Sequence, residues 1–292
     1  MTDNPIITAR GLCKSYARSR VLDQLDLTVA AGAAIGLLGA NGAGKTTLLK
    51  VLLGLTPVEA GRATILGHPS SALPPSVRQR LAYVPQTPTQ FPWLTGQAML
   101  RYVSRFYFTF DWDYVRSLSA RWKLALRTPI GALSPGQQQR LSIVRALATR
   151  PEILVLDEPI ASLDPATRIA VIDELLAERT ERSLTLIFSS HLVGDLERLC
   201  TQFAVLANGR IAVLEDVQWF RGLVRARLEA DEGLLADISV PSAAMTRKSG
   251  DGRRIVLLER SIAERLRTIL PAAVNVVIDQ PDLEAAASEW MS

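Results

Sequence analysis

The chain has 292 residues, a net charge of +4 and 48% hydrophobic residues, which suits a globular protein of one large domain or two modest ones. Its two cysteines, Cys13 and Cys200, lie far apart without metal-ligand spacing, which argues against a disulfide framework and indicates a reducing compartment. No apolar run approaches the roughly 20 residues that span a bilayer, and residues 1–10 lack the apolar core of a signal peptide. We therefore expect a protein that meets any membrane through a partner.

The first third of the chain predicts short strands around a phosphate-binding loop. Residues 5–12 and 21–29 are predicted strands, and the second alternates apolar and polar residues as a half-buried antiparallel strand does. Residues 61–67 and 81–84 predict two more strands, and Gln86 follows the second of them.

The segment 39–47 reads GANGAGKTT and fits the pattern G-x-x-x-x-G-K-[ST]. It follows an apolar run and precedes an apolar stretch, up to Leu55, that predicts a helix. Glycines leave room for backbone N–H groups to wrap a polyphosphate, a lysine reaches the β and γ phosphates, and a hydroxyl can take a Mg²⁺ position. The residues that we assign to the nucleotide are Gly39, Asn41, Gly42, Ala43, Gly44, Lys45, Thr46 and Thr47, with Thr46 also assigned to the metal.

The middle of the chain alternates helical and strand patterns. Aromatic residues crowd the helical stretch 88–126, and the segment LSPGQ at 133–137 precedes a helix. Residues 153–159 read ILVLDEP, an apolar run ending in two carboxylates, which is typical of a buried parallel strand with a site at its C-terminal edge. A helix over about 165–180, a buried strand over 184–191 and a hairpin over 203–215 with Asn208-Gly209 at its turn follow.

The composition shifts at about residue 216, and the remainder predicts a small α/β extension. A helix is predicted over 217–228, followed by strands at 236–240, 254–259 and 274–279 and by helices at 261–270 and 281–290.

Four segments together resemble the ATP-binding cassette (ABC) family of ATPases over about residues 5–215: the glycine loop, the LSPGQ segment, the ILVLDEP strand and the SSH that ends the predicted strand at 184–191. The resemblance implies an α/β fold: a P-loop NTPase core of ABC type with an antiparallel β subdomain, a helical insert and a small C-terminal α/β extension. The domains expected are 1–215, with a helical subdomain at about 87–145, and an accessory domain at 216–292.

The resemblance also implies a role for each matching residue. Asp157 is similar to the aspartate that holds Mg²⁺ directly or through water, and Glu158 to the glutamate that polarises the attacking water. Gln86 resembles the glutamine that touches the metal and that water, and His191 resembles the histidine at the γ-phosphate. The implied cofactors are ATP and Mg²⁺.

Further matches imply a dimer with two ATP molecules between protomers. Tyr16 matches the aromatic residue that stacks on adenine, and Asp164 matches an aspartate that works across the dimer interface. Ser134, Gly136 and Gln137 match the segment that binds the γ-phosphate held by the other protomer. Two departures are Pro135, where the family has glycine, and Ile160, where a small hydroxyl residue is usual. Proline removes a backbone N–H, so either ATP binding is a little weaker or that donor is not needed.

Three branches of the family remain open: a transporter subunit whose permease is a separate chain, a non-transport cassette acting on ribosomes or nucleic acid, and an ATP-binding regulatory module. Spacing between the two nucleotide motifs disfavours the second branch, and the presence of Glu158 and His191 disfavours the third. The segment RFYFTFDWDYV resembles the stretch with which bacterial ABC-2-type exporters dock on their permease. We therefore expect an exporter subunit, in a homodimer, on the inner face of the cell membrane, without direct nucleic-acid contact.

Overall fold

The computed structural model describes residues 5–17, 19–88, 91–191, 193–229, 245–248, 254–259, 263, 270 and 274–279. The strands are β1 (Pro5–Tyr16), β2 (Ser19–Ala30), β3 (Ala34–Leu38), β4 (Ala60–Ile65), β5 (His68–Pro69), β6 (Leu81–Val84), β7 (Ile153–Asp157), β8 (Thr185–Ser189), β9 (Gln202–Ala207), β10 (Arg210–Asp216), β11 (Leu223–Glu229), β12 (Met245–Lys248), β13 (Arg254–Glu259) and β14 (Asn275–Asp279). The α-helices are α1 (Lys45–Leu52), α2 (Pro75–Arg78), α3 (Gly96–Ser104), α4 (Trp112–Arg121), α5 (Pro135–Ala148), α6 (Pro165–Arg182), α7 (Val193–Leu199) and α8 (Val217–Gly222).

The central sheet has six strands in the order β10-β9-β3-β8-β7-β6. The pairs from β9 to β6 are parallel, and only β10 runs antiparallel to its neighbour. Every residue of β3, β7 and β8 is buried, because helices and a second sheet cover both faces of these strands. The predicted buried strands are therefore confirmed, and the C-terminal ends of β3, β7 and β8 meet at one edge.

The second sheet is antiparallel, with the order β2-β1-β4-β5. The apolar residues of β2 at 22, 25, 27 and 29 are fully buried and pack, with α1, against one face of the central sheet. The alternation in this strand thus predicted its antiparallel, half-buried character correctly. Together the two sheets give the α/β core with an antiparallel β subdomain that the sequence predicts.

The first helix is shorter than predicted. It ends at Leu52 rather than near Leu55, and Gly54 beyond it has a φ of 69°. A Cβ at Gly54 would lie 1.9 Å from the carbonyl oxygen of Ser70. The chain turns here because glycine alone fits this left-handed, closely packed position.

The hairpin formed by β9 and β10 is confirmed. Asn208 and Gly209 have φ values of 50° and 74°, so both turn residues are left-handed, as a two-residue hairpin loop requires.

The helix predicted over 217–228 is wrong beyond Gly222. Residues 223–229 form β11, which pairs with β13 on one side and β14 on the other. Val224, Ala226 and Leu228 are fully buried in a separate apolar cluster. From 224 to 228, buried side chains therefore recur at every second position, as in a β-strand. The strands predicted at 254–259 and 274–279 are confirmed as β13 and β14, whereas β12 was not predicted. The predictions at 236–240 and 281–290, and nearly all of 261–270, lie outside the described residues.

An ion-pair network joins the start of α4, in the helical insert, to α6. The Arg150 guanidinium donates to Asp111 Oδ2 at 2.6 and 3.0 Å and to Glu178 Oε1 at 2.9 Å. It also lies 4.4 Å from the centre of the Tyr114 ring. Hydrogen bonds from the Tyr114 backbone and from Arg150 hold the pKa of Asp111 below its usual range. Arg182 also donates to Glu178, whose side chain is only 3% exposed.

We expect Arg150→Met to lower the free energy of unfolding by about 2 kcal/mol, because it leaves a buried carboxylate with one cation instead of two. Denaturant unfolding measures the change. The control is Arg116→Met, which removes an exposed pair with Asp113 and should cost at most about 0.5 kcal/mol. Equal effects of the two substitutions would contradict the structural role of the network.

Candidate nucleotide site

The phosphate-binding loop joins β3 to α1. Gly42 and Gly44 have φ values of 83° and 105°, and a Cβ on Gly39 would lie 2.8 Å from the Leu206 carbonyl oxygen. The conformation therefore requires glycine at these positions. No side chain caps α1 at Gly44, which leaves the first N–H groups of the helix free to meet an anion.

Lys45 is held inside this loop. Its Nζ donates to the Gly39 carbonyl at 2.7 Å and lies 3.3 Å from Glu158 Oε1. Both side chains are 7% exposed, so the ion pair is buried. A phosphate entering the loop competes with Glu158 for this ammonium group.

Two carboxylates stand at the C-terminal end of β7. Asp157 pairs in register with Ser189 on β8 and is fully buried. Ser189 Oγ donates to Asp157 Oδ1 at 2.8 Å and accepts the Glu158 N–H at 2.9 Å. Glu158 has a φ of 46°, an unusual value for a residue with a side chain. One buried hydroxyl thus fixes both acidic residues.

The second oxygen of Asp157 faces Tyr83, whose hydroxyl lies 3.4 Å from Oδ2. Burial, together with the charge of Asp157, raises the pKa of Tyr83, so the phenol keeps its proton and donates. Neither Ser189 nor Tyr83 was singled out from the sequence. The place of Ser189 in SSH could have drawn attention to it. Its hydrogen bond with Asp157, however, depends on the register of β7 and β8.

His191 extends the ion pair of Lys45 and Glu158 across the site. Its Nδ1 lies 2.9 Å from Glu158 Oε2, and its side chain is 47% exposed. Lys45, Glu158 and His191 therefore contact one another in series. The structure brings together these three predicted residues, which lie far apart in sequence.

A cavity of about 250 Å³ lies beside this series, and Gln86 and Glu158 face the loop across it. The loop side of its lining is Ala40, Asn41, Gly42, Gly44, Lys45, Thr46 and Thr47. Ala43 lines an adjoining cavity of about 310 Å³ with Asn41 and Gly42. The predicted loop residues 41–47 and Gln86 are thus brought to one place, whereas Gly39 lines neither cavity.

The protein oxygens that line this cavity can supply one or two ligands to Mg²⁺. Thr46 and Gln86 line it, but Asp157 lies behind it, with its oxygens already facing Ser189 and Tyr83. The described residues contain no group of three acidic, histidine or cysteine side chains that could form a complete metal cage. This donor set suits Mg²⁺, which keeps several waters and uses phosphate oxygens beside one or two protein ligands.

The remaining predicted residues line neither cavity. Ser134 begins α5, where its hydroxyl accepts the Gln137 N–H and the Gln137 side chain accepts the Ser134 N–H. Gly136 packs against the loop before α6, and a Cβ there would lie 3.3 Å from Leu163 Cδ2. The capping box thus already pairs the Ser134 hydroxyl with the Gln137 N–H, and a phosphate at this helix start would have to compete with it.

The two departures from the family pattern have structural explanations. Pro135 occupies the first turn of α5, where its missing N–H costs no helical hydrogen bond. Ile160 is 1% exposed and packs in the core that joins the central sheet to the insert.

Asp164 and Tyr16 also lie outside the cavities. Asp164 begins α6 and accepts from the backbone and hydroxyl of Thr167 at 3.0 and 2.6 Å, which hold its pKa below the usual value. Tyr16 ends β1, is 48% exposed and lies 5.2 Å from the Lys14 ammonium group. An exposed ring at this position is free to stack on a flat ligand.

We expect Ser189→Ala to lower the unfolding free energy by about 1–3 kcal/mol, because it removes a hydrogen bond from a buried carboxylate. ATP turnover should fall by roughly tenfold, because Asp157 and Glu158 lose their shared anchor. Ser189→Thr keeps the hydroxyl and should restore most of the turnover. Steady-state hydrolysis and denaturant unfolding measure both effects. Turnover equal in Ser189→Ala and the parent would contradict the anchoring role.

Comparison with known proteins identifies the family to which the chain belongs. Residues 22–161 match the family model described as "ABC transporter". The chain is similar to "Nod factor export ATP-binding protein I" of Ralstonia nicotianae, with 36% identity over 70% of this chain and 65% of that protein, just under two thirds of its length. The protein of the same name in Burkholderia orbicola is 37% identical over 70% and 68% of the two chains.

Among solved structures, one described as "Structure of ATP binding subunit of ABC transporter" superposes with a TM-score of 0.66. It is 28% identical and covers 74% of this chain and 92% of its own. No helix in the described part of the chain has the length and apolar character that a membrane crossing needs. The chain belongs to the ABC transporter family, among its ATP-binding proteins.

Proposed function

We propose that this chain is the ATP-hydrolysing subunit of a transporter, working as a dimer with a separate membrane permease. The observation that carries the proposal is the series Lys45–Glu158–His191 beside the loop cavity. Lys45 supplies a cation that can bind phosphate, and Glu158 supplies a carboxylate that can accept a proton from water. His191 contacts that carboxylate.

In this proposal the loop N–H groups and α1 bind the β and γ phosphates of ATP, and Tyr16 stacks on the adenine. Thr46, Gln86 and, through water, Asp157 would hold Mg²⁺, which supplies charge neutralisation at the phosphates. The phosphates take Lys45 away from Glu158. The freed Glu158 carboxylate then accepts the proton of the attacking water while His191 contacts the γ-phosphate.

The position of the helix start at Ser134 supports a dimer. Ser134, Gly136 and Gln137 line neither of the two cavities beside the phosphate-binding loop of their own protomer. We propose that they meet the γ-phosphate bound to the partner, with Asp164 at the interface between the two copies. ATP closes this dimer, and hydrolysis followed by product release reopens it.

The aromatic stretch supports a docking role for the insert. Tyr102, Phe106 and Phe108 are 48%, 61% and 93% exposed, whereas Phe110, Trp112 and Tyr114 pack against the core. We propose that the exposed subset meets the permease, which would place the cassette on the cytoplasmic face of the cell membrane. The names of the Nod factor relatives favour export, and no observation favours a ribosomal, nucleic-acid or regulatory role.

For the domains we propose an ATPase unit at 1–215, whose helical part spans about 87–145, and an accessory unit at 216–292. The separate apolar cluster of β11, β13 and β14 supports this division. Phe220, near the start of the second unit, packs against Phe203 of the first, with ring centres 5.5 Å apart.

Capture from host membranes tests the transport proposal. Tagged Glu158→Gln protein is mixed with ATP and detergent-solubilised membranes, and its partners are identified by mass spectrometry. The proposal expects a polytopic membrane protein in stoichiometric yield. Recovery of ribosomes or DNA-repair proteins without a membrane partner would overturn it.

A further inference from the structure

The side chain of Arg168, in the first turn of α6, lies between two segments that flank the nucleotide site. Its Nε donates to the Leu163 carbonyl at 2.9 Å, in the loop that carries Asp164. One of its terminal nitrogens lies 3.9 Å from Asp195 Oδ2, in the first turn of α7. Helix α7 begins two residues after His191. Arg168 therefore joins the loop before α6 to the helix that follows the site histidine.

Leu163 extends this link to the start of α5. Leu163 is 5% exposed, and a Cβ on Gly136 would lie 3.3 Å from Leu163 Cδ2. Leu163 thus packs against the helix start that, in the proposed dimer, meets the partner's nucleotide. A series of contacts therefore runs from the start of α5, through Leu163 and Arg168, to Asp195.

The carboxylate of Asp195 offers an unused acceptor at the end of this series. Among the described residues, no donor forms a hydrogen bond with its buried Oδ2. Burial raises the pKa of Asp195, and the positive charges of Arg168, His191 and Arg198 oppose that rise. An unsatisfied buried acceptor costs free energy, so this oxygen favours any movement that brings a donor closer.

The ion pair of Arg168 and Asp195 is open by about 1 Å, because charge-assisted N–H···O bonds span about 2.7–2.9 Å. The two side chains are only 27% and 21% exposed, so water screens their attraction in part. A small movement of the start of α6 toward α7 would close the pair and satisfy the buried oxygen. The pair can therefore transmit a displacement from one helix to the other.

We propose that Arg168 and Asp195 are positioning residues for ATP hydrolysis. When the partner protomer contacts the loop at 162–164, Arg168 closes on Asp195, and α7 carries His191 to the γ-phosphate. Neither side chain touches the nucleotide, and both act through the histidine. This inference rests on the proposed ATP-bound dimer and adds the path by which closure of the dimer reaches His191.

Separate measurements of turnover and ATP affinity test the inference on the purified full chain. Asp195→Asn, which keeps the shape and removes the charge, and Arg168→Met should each lower turnover by roughly tenfold, because a small misplacement of a reacting group is costly. Affinity for the fluorescent ATP analogue should stay within about twofold, because neither residue binds phosphate. Asp195→Glu keeps the charge, reaches farther and should retain turnover within about threefold.

Two comparisons separate positioning from a general loss of structure. Arg198→Met removes an exposed pair between α7 and Asp173 of α6, so turnover should stay within about twofold. The double variant Arg168→Met/Asp195→Asn should be no slower than either single variant, because residues that act on one another do not contribute additively.

The position of His191 has a spectroscopic readout of its own. The chain has only two histidines, so untagged protein labelled with ¹³C at histidine Cε1 gives two NMR signals. Arg168→Met and Asp195→Asn should both shift the His191 signal in the nucleotide-free protein, and Arg198→Met should not. His68, exposed on β5, is the internal reference.

Parental turnover in Asp195→Asn, losses that multiply in the double variant, or an unmoved His191 signal would each overturn the inference. Asp195→Asn decides these points alone if Arg168→Met does not fold. Glu158→Gln/Asp195→Asn should still form a dimer with Mg-ATP, so loss of the link leaves the proposed dimer standing. If Glu158→Gln itself stays monomeric, the proposed dimer fails, and the histidine signals still decide whether Asp195 acts on His191.

Discussion

Glu158→Gln is expected to lower the rate of ATP hydrolysis by roughly 10²–10³-fold, because an amide cannot accept the proton of the attacking water. Its shape is unchanged, and its backbone N–H keeps the hydrogen bonds to Ser189. ATP affinity should stay the same or rise, because Lys45 no longer has a competing carboxylate. Phosphate release under saturating ATP and equilibrium binding of a fluorescent ATP analogue measure the two quantities.

The matched control for this prediction is Glu152→Gln. Glu152 lies just before the same strand, is 40% exposed and pairs with Arg80 outside the cavity. Its replacement should leave turnover within about twofold, as surface pairs contribute little. Parental turnover in Glu158→Gln would show that another group accepts the proton.

Lys45→Ala is expected to weaken ATP binding by roughly 10–100-fold, since charge-assisted hydrogen bonds to phosphate are worth about 1.5–3 kcal/mol. Its 7% exposure and its anchor on the Gly39 carbonyl hold the ammonium group inside the loop. Lys45→Arg should not restore binding, because a planar guanidinium does not fit the space of a compact ammonium. Titration with the fluorescent ATP analogue gives both affinities.

Lys50→Ala provides the control in the same helix. Lys50 is exposed in the last turn of α1, far along the helix from the phosphates. Its loss should change ATP affinity by less than twofold. If the two lysine variants bind ATP equally well, Lys45 is not the phosphate ligand.

The sequence predicted the structure best where only a few residue types can adopt the local backbone conformation. The glycine loop between a buried strand and a helix, and the Asn208-Gly209 turn, were predicted correctly because left-handed positions restrict the residue type. The apolar run ending in Asp157 and Glu158 likewise identified a buried parallel strand.

The errors came from tertiary context. Residues 223–228 read as the continuation of a helix, but they are drawn into β11 by pairing with β13 and β14. The sequence analysis did not predict the short helix α7, which lies between β8 and the hairpin of β9 and β10.

The contacts among site residues could not be read from spacing. Ser189 meets Asp157 because β7 and β8 run in register, and Lys45 meets Glu158 across the sheet edge.

We propose that ATP binds between two copies of the chain, so that Ser134 and Gly136 act on the partner's nucleotide. Sedimentation equilibrium of Glu158→Gln with Mg-ATP, compared with Mg-ADP and with no nucleotide, tests it most directly. Glu158→Gln should form a dimer with Mg-ATP and stay a monomer in the other two conditions. A variant that binds ATP fully yet stays monomeric at every protein concentration would contradict it.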